Sequence, residues 1–139
     1  MLNQDKKTLK NIFGFDNYKN NQQEIIKEVL EGKNILTVMP TGGGKSLCYQ
    51  LPASLFDGLT LVVSPLIALM QSQVAQLQLL GIKAYCLNSS NSDDENKAII
   101  EMLKSNEVTL LYIAPERLIK NETIDLLKTK KISLLAIDE

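Results

Sequence analysis

The stretch Met39-Pro-Thr-Gly-Gly-Gly-Lys-Ser46 decides how this chain reads, and an apolar run, Asn34-Ile-Leu-Thr-Val-Met39, leads into it. A strand that stops at a glycine-rich turn and restarts as a helix leaves a row of backbone N–H groups unpaired at the positive end of the helix dipole. Such a concavity suits a polyphosphate. Gly42, Gly43 and Gly44 carry no Cβ, so the backbone can approach phosphate oxygens closely; Thr41 belongs to the same turn. Lys45 is expected to place a point charge on the β- and γ-phosphates, and the Ser46 hydroxyl to ligate Mg²⁺. The general phosphate-loop pattern is G-x-x-x-x-G-K-[ST]. Gly44-Lys45-Ser46 meets its last three positions, and Met39 stands where its first glycine falls. A dinucleotide fingerprint, G-x-G-x-x-G, fails because Leu47 occupies the third glycine position.

Working outward, short apolar runs alternate with helical segments. Strands are expected at Ile35–Met39, Thr60–Ser64, Ala84–Asn88, Thr109–Ala114 and Leu134–Asp138. They are continuous apolar runs, the pattern of strands buried on both faces of a sheet. Between them, Ser64-Pro65 offers a cap and a first-turn proline, Ser92-Asp-Asp-Glu95 reads as a capping box, and Pro115 opens a helix. Asn121 is placed to cap the next helix, and Gly58 and Gly81 punctuate joins to strands. Pro52, inside the helix after the glycine turn, is expected to kink or end it. Upstream, Gln4–Ile12 and Asn21–Leu30 read as two helices around a turn at Gly14, with Ile25, Ile26, Val29 and Leu30 on one face and Gly32 as a stop. Strand–helix alternation of this kind predicts a parallel α/β sheet.

Bulk properties set bounds. A chain of 139 residues is one domain or part of one, long enough for a real core. No apolar run approaches a membrane span, and the amino terminus lacks the apolar region of a signal peptide. With two cysteines and no histidine, a histidine/cysteine metal site is out of reach, so Cys48 and Cys86 are expected to be buried free thiols of a cytosolic protein. Asn88-Ser-Ser90 and Asn121-Glu-Thr123 match the glycosylation tripeptide but carry no weight without a secretion signal. A net charge of −1 offers no basic footprint for nucleic acid.

The last apolar strand delivers two acids, Asp138-Glu139, at its carboxyl end. Ligands of parallel sheets sit outside that edge. An acidic pair there complements a phosphate loop: Asp138 is expected to approach the Mg²⁺ held by Ser46, and Glu139 to orient and deprotonate the attacking water.

With both halves in view, the chain resembles the first RecA-like lobe of a superfamily 2 helicase, and more closely the RecQ family of DNA helicases, from about Leu9 to Glu139. MPTGGGKSLCYQLPA is similar to that family's nucleotide motif nearly residue for residue, Met39 included. Leu9-x3-Phe13-Gly14-x3-Tyr18-Lys19-x2-Gln22 resembles its adenine-recognition motif. There the resemblance implies that Phe15 stacks on the base and Gln22 reads the adenine edge through paired amide hydrogen bonds. Lys19 stands where the family has arginine and cannot supply a planar, stacking guanidinium. Asn20-Asn21 replace the more usual Pro-Gly, which loosens that turn. Without the family, Phe13, Phe15 and Tyr18 read as core aromatics. Leu61–Gln73 and Leu110–Leu118 resemble two motifs that contact the DNA strand, with Ser64, Pro65 and Arg117 as the contact residues. Helix N-termini at those places offer N–H groups to backbone phosphates without entering a charge count.

The resemblance thus implies an incomplete α/β fold of the P-loop NTPase, RecA-like type, a parallel sheet flanked by helices. Residues 1–32 form a helical segment with the adenine motif, and 33–139 a partial ATP-binding lobe. It implies ATP and Mg²⁺ as cofactors and Lys45, Asp138 and Glu139 as the catalytic residues. It further implies single-stranded DNA and a duplex junction as partners, no membrane, and a cytoplasmic location, nucleoid-associated in a bacterium. The family continues past the acidic pair with a coupling loop and a second lobe, so the chain is expected to be a fragment of a 3′-to-5′ DNA helicase of recombination and repair. In related sheets a later strand inserts between the phosphate-loop strand and the acidic strand, and its absence is expected to leave both unpaired. Two other readings stay open: a non-catalytic nucleotide-binding fragment, and a lobe of a DEAD-box RNA helicase.

Overall fold

The computed structural model describes residues 4–39 and 44–138. The chain forms two compact units, Met1–Phe56 and Asp57–Glu139.

The first unit is helical. Helix α1 (Gln4–Asn11), α2 (Gln22–Leu30) and α3 (Leu47–Leu55) meet around Leu9, Ile26, Leu47, Cys48 and Leu51. The two amino-terminal helices lie where the apolar spacing put them, and the α2 face buries Ile26 with Ile25 and Leu30 packed beside it. Phe13 and Tyr18 also pack against this core, as aromatic residues in a small unit should. Pro52 does not end α3: the helix runs on to Leu55, and Phe56 N–H closes it on the Pro52 carbonyl at 2.9 Å. A proline deprives a helix of a single N–H at its own position, and seven of the nine α3 residues are buried, so packing holds the helix through it.

The expected strand at Ile35–Met39 is not formed. Residues 33–39 join no ladder among the described residues, and Leu36 and Val38 are 92% and 93% exposed. An apolar run becomes a strand only where a neighbouring strand takes up its N–H and C=O groups; without one, water does. Met39, at the end of the run, packs on the helical core instead.

The second unit is a four-stranded parallel sheet with flanking helices, in agreement with the α/β expectation. The chain order is β1 (Leu59–Val63), α4 (Ile67–Leu79), β2 (Ala84–Leu87), α5 (Asp93–Lys104), β3 (Leu110–Ile113), α6 (Pro115–Leu118), α7 (Asn121–Lys128) and β4 (Ile132–Ile137). The strands lie in the order β2-β3-β1-β4. All neighbours are parallel, because each connection carries a helix back across the sheet. On one side of the sheet Leu59, Leu61, Leu87, Leu111 and Ile113 pack with Ile99 and Leu103 of α5 and Leu127 of α7. Ser92 and Glu95 form the expected capping box, Glu95 N–H to Ser92 Oγ at 3.1 Å and Ser92 N–H to Glu95 Oε1 at 3.3 Å. Pro115 is the first residue of α6, as its fixed φ favours.

Three local expectations need correcting. Pro65 is not in the first turn of α4, which begins at Ile67 with Leu66 as its cap residue. Asn121 is the first residue of α7, and Lys120 takes the capping position without a side-chain bond. Burial on both faces holds for β1 and β3 but not for β4, where Leu135 is 55% and Ile137 78% exposed. Strand β4 is at the end of the strand order, so its outer edge has no ladder partner among the described residues.

An open strand edge with apolar residues beside it is a template for pairing with another chain. The double substitution Leu135→Lys and Ile137→Lys is therefore expected to reduce concentration-dependent association of this chain in sedimentation velocity. Stability should change by no more than about 0.5 kcal/mol, because both positions are largely exposed. Unchanged association would show that β4 is not the contact.

Candidate nucleotide site and strand-contacting edge

In the first unit the structure joins the two nucleotide motifs through one side chain. Gln22, 3% exposed, sits at the start of α2. Its Oε1 accepts the Lys19 N–H at 2.8 Å, and its Nε2 donates to the Gly44 carbonyl at 2.8 Å. The Gln22 N–H returns to the Lys19 carbonyl at 3.0 Å, so the turn through Asn20 and Asn21 is closed from both sides. Asn20 takes φ +47, a left-handed conformation that asparagine tolerates better than most residues. A primary amide has two N–H donors and two acceptor lone pairs, so these bonds leave Gln22 one of each for a purine edge.

Gly44 is at φ +77, where L side chains are strained, and a Cβ there would run into the Gln22 amide. Both constraints require glycine at this position of the turn. Pro40, Thr41, Gly42 and Gly43 lie outside the described residues. Lys45 and Ser46 follow as the turn into α3, with Cys48 N–H on the Lys45 carbonyl at 3.1 Å and Gln50 N–H on the Ser46 carbonyl at 2.9 Å. The Ser46 side chain makes no cap bond to its own helix. Phe15 is 46% exposed, unlike Phe13 and Tyr18, so it alone of the three offers an accessible ring. Lys19 is exposed. The Tyr18 hydroxyl donates to Asp5 Oδ2 at 2.7 Å; burial, then the bond to Asp5 and its charge, push its pKa well above the ordinary tyrosine value. It holds the adenine-motif turn onto α1.

Both cysteines are buried free thiols. Burial pushes the Cys48 pKa up to about 11, and raises that of Cys86 against an opposing hydrogen bond from Asn88. Neither is an activated nucleophile.

In the second unit the strand register builds a row. Val63 pairs with Ile113 and Ile137, and Leu87 with Ile113. The next residues, Ser64, Asn88, Ala114 and Asp138, therefore stand level along the carboxyl edge of the sheet. Ser64 N–H reaches the Ile113 carbonyl at 3.2 Å and Asp138 N–H the Val63 carbonyl at 2.9 Å, carrying the ladder one residue further. Asp138 is half-buried. Glu139 lies outside the described residues, and Ser46 and Asp138 belong to different units.

The residues expected to contact a DNA strand are placed less simply than the sequence suggested. Ser64 is only 2% exposed, and its Oγ accepts the Leu66 N–H at 3.2 Å, so the hydroxyl shapes the turn before α4. Pro65 is exposed beside it. At Pro115 the helix is a single turn; proline has no N–H, and the Arg117 N–H is already on the Ala114 carbonyl at 3.0 Å. Helix α4 is thus the better provider of open N–H groups. Arg117 is half-buried, and its Nε is buried without a hydrogen-bond partner.

Sequence reasoning missed Asn88. It is fully buried, donates to Cys86 Sγ at 3.0 Å, and accepts the Ser90 N–H at 2.7 Å. Its carbonyl accepts Asn96 Nδ2 at 3.1 Å, and Asn91 Nδ2 reaches the Cys86 carbonyl at 2.6 Å and Asn96 Oδ1 at 3.0 Å. The signal was three asparagines within nine residues of a strand end, where the glycosylation pattern drew attention instead. Among the described residues there is no group of three or more potential metal-ligating side chains, and no helix long and apolar enough to cross a membrane.

Comparison with known proteins adds the family. The profile of the DEAD/DEAH box helicase family matches residues 19–139. The chain is 47% identical over 131 residues to the ATP-dependent DNA helicase RecQ of Haemophilus influenzae, which covers 94% of this chain and 21% of that protein. It is 44% identical over 140 residues to the ATP-dependent DNA helicase RecQ of Bacillus subtilis, covering the whole chain and 24% of that protein. Similarity extends to the ATP-dependent DNA helicase Q1 of Pongo abelii, at 40% over 141 residues, 96% of this chain and 22% of that one. The chain therefore spans roughly a fifth to a quarter of the length of these relatives. Among solved structures, a hypothetical ATP-dependent RNA helicase from Sulfolobus tokodaii matches with a TM-score of 0.75 at 23% identity, over 99% of this chain and 41% of that one. At that identity the match speaks for the fold.

Proposed function

Because this chain belongs to the DEAD/DEAH box helicase family, we propose that it is the nucleotide-binding part of an ATP-dependent DNA helicase of the RecQ type. The longer protein would unwind DNA 3′ to 5′ in recombination and repair, in the cytoplasm or on the nucleoid. The observation that carries the reading is the Gln22 bridge, which ties the residue expected to read adenine to the glycine that shapes the phosphate turn. The DNA substrate rests on the names of the relatives that resemble nearly the whole chain.

The residues present fit ATP. Phe15 offers an exposed ring for the base, Lys19 is exposed in the same motif, and Gln22 keeps one donor and one acceptor for the adenine edge. Gly44 keeps the turn free of a Cβ, and the sequence assigns Thr41, Gly42 and Gly43, outside the described residues, to the same phosphate-binding role. Lys45 would neutralise charge on the β- and γ-phosphates, and the Ser46 hydroxyl, not spent on a helix cap, and the Asp138 carboxylate are the groups that would serve Mg²⁺. Magnesium-bound ATP supplies the phosphoanhydride bond and the charge neutralisation that its cleavage needs. Glu139 orients and deprotonates water for in-line attack. The turns carrying Ser64-Pro65 and Pro115–Arg117 contact the DNA backbone, with the open N–H groups of α4 as donors.

The test uses a longer protein that contains this chain, given a duplex with a 3′ single-stranded tail. ATP-dependent unwinding of DNA and not of the matching RNA duplex is the expected result. Preference for the RNA duplex would move the assignment to an RNA helicase. The 139-residue chain alone should bind ATP weakly and unwind neither.

A further inference from the structure

Behind α6 the second unit holds a cavity of about 210 Å³ between α5, α7 and the strands β2 and β3. Its floor is apolar: Leu87, Leu103, Leu111 and Leu127, all buried. Arg117 enters its wall, and this is the residue whose Nε is buried with no hydrogen-bond partner. A donor of a charged group left unpaired is costly, so Arg117 favours a partner that supplies an acceptor. Lys104 and Glu122 stand at the exposed rim and Thr123 adds a hydroxyl. The titratable groups facing the cavity are thus two cations against one carboxylate. Lys104 is partly occupied by Glu101, 3.4 Å away in an exposed pair.

We propose that this cavity is a binding site for a small carboxylate with a compact apolar body, its carboxylate on Arg117 and its hydrocarbon on the leucine floor. Size argues for the apolar part: an apolar cavity of ~150 Å³ is enough to take up benzene, so 210 Å³ accommodates a ring and a short acid arm. The charges argue for the acid, because Arg117 and Lys104 face the single carboxylate of Glu122, and a guanidinium fork pairs with a planar carboxylate through parallel hydrogen bonds. A bound ligand would fix Arg117 against α7 and so hold α6, the single turn that ends at Leu118. The site lies within the second unit and does not rest on the nucleotide reading, although it draws on Arg117 of the turn proposed to contact DNA.

The probe is phenylacetate, titrated into the isotopically labelled 139-residue chain and followed by amide and methyl NMR shifts. The expected result is saturable shifts at Leu103, Leu111, Thr123 and Leu126. Phenylacetamide, the neutral isostere, should bind at least tenfold more weakly, as should phenylacetate to the Arg117→Gln chain. Leu103→Phe, which fills the floor, should abolish the shifts. Should a variant lose the dispersed spectrum of the parent chain, the comparison of phenylacetate with phenylacetamide on the unaltered chain decides the matter. Equal binding of acid and amide would overturn the role of Arg117. Inorganic phosphate binding as tightly as phenylacetate would overturn the apolar half, leaving a simple anion site. No saturable shift at these residues would overturn the proposal outright.

Discussion

Replacing Lys45 with alanine is expected to lower the affinity for ATP roughly 10- to 150-fold, the loss of one charge-assisted contact of about 1.5–3 kcal/mol. The direction follows from position. Lys45 comes directly after Gly44, whose φ of +77 turns the chain toward α3. An ammonium at that place is expected to meet the phosphates. Three ligands separate this account from a general loss of structure. Inorganic triphosphate should lose affinity in the same proportion as ATP. Adenosine, which has no phosphate, should bind the variant as it binds the parent chain. Thermal unfolding without nucleotide should move little, because an exposed or half-exposed lysine is not a core residue. Calorimetry giving equal affinity of the two chains for ATP would remove the phosphate loop from the argument, and with it the nucleotide reading.

How much of this was legible beforehand differs between the two units. In the second, all four strands expected there were found, and the capping box at Ser92 was found with both of its bonds, because those signals are local. Continuous apolar runs between cap and turn residues have few other solutions. The failures have a common physical origin in partners that are distant in sequence. Ile35–Met39 has the composition of a strand, but a ladder requires a neighbour, and composition does not say whether one is present. Strand β4 likewise reads as buried on both faces, yet its place at the end of the strand order leaves Leu135 and Ile137 exposed. Pro52 was read by a rule for isolated helices, and the burial of α3 overrode it. At the candidate site, the motif pattern singled out Gly44, Lys45 and Asp138, and the family resemblance singled out Gln22. The bond that joins Gln22 to Gly44 was not legible, since 22 residues separate the partners. Nor was the destination of Arg117: the family resemblance implied a DNA contact, and only packing reveals that its Nε is buried.

The Gln22–Gly44 bond leads to a second large effect, and to one that depends on pH. In Gln22→Glu the Oε1 that accepts from Lys19 is kept, but the other terminus changes from a donor to an acceptor. At neutral pH a carboxylate oxygen would face the Gly44 carbonyl, which now sits 2.8 Å from an N–H donor. Two acceptors cannot bond, and the position is almost wholly buried, so the new carboxyl is driven toward its protonated form. The protonated acid can donate to the Gly44 carbonyl as the amide did. The introduced group therefore has a folded-state pKa above its unfolded value. Its contribution to stability is complete below the unfolded pKa and is lost as pH rises through the folded one. Thermal or urea unfolding should accordingly show a loss of about 1–3 kcal/mol at pH 7.5 relative to the parent chain. Much of that loss should be recovered at pH 5. Gln22→Ala supplies the control: it leaves the Gly44 carbonyl without this partner at every pH, so its deficit relative to the parent should be the same at both values. ATP affinity of the Glu variant should fall at pH 7.5 as well, through a displaced Gly44 and the lost adenine contact. A deficit that does not change between pH 5 and pH 7.5 would mean that the side chain at position 22 does not bond to Gly44, and the link between the two nucleotide motifs would have to be sought elsewhere.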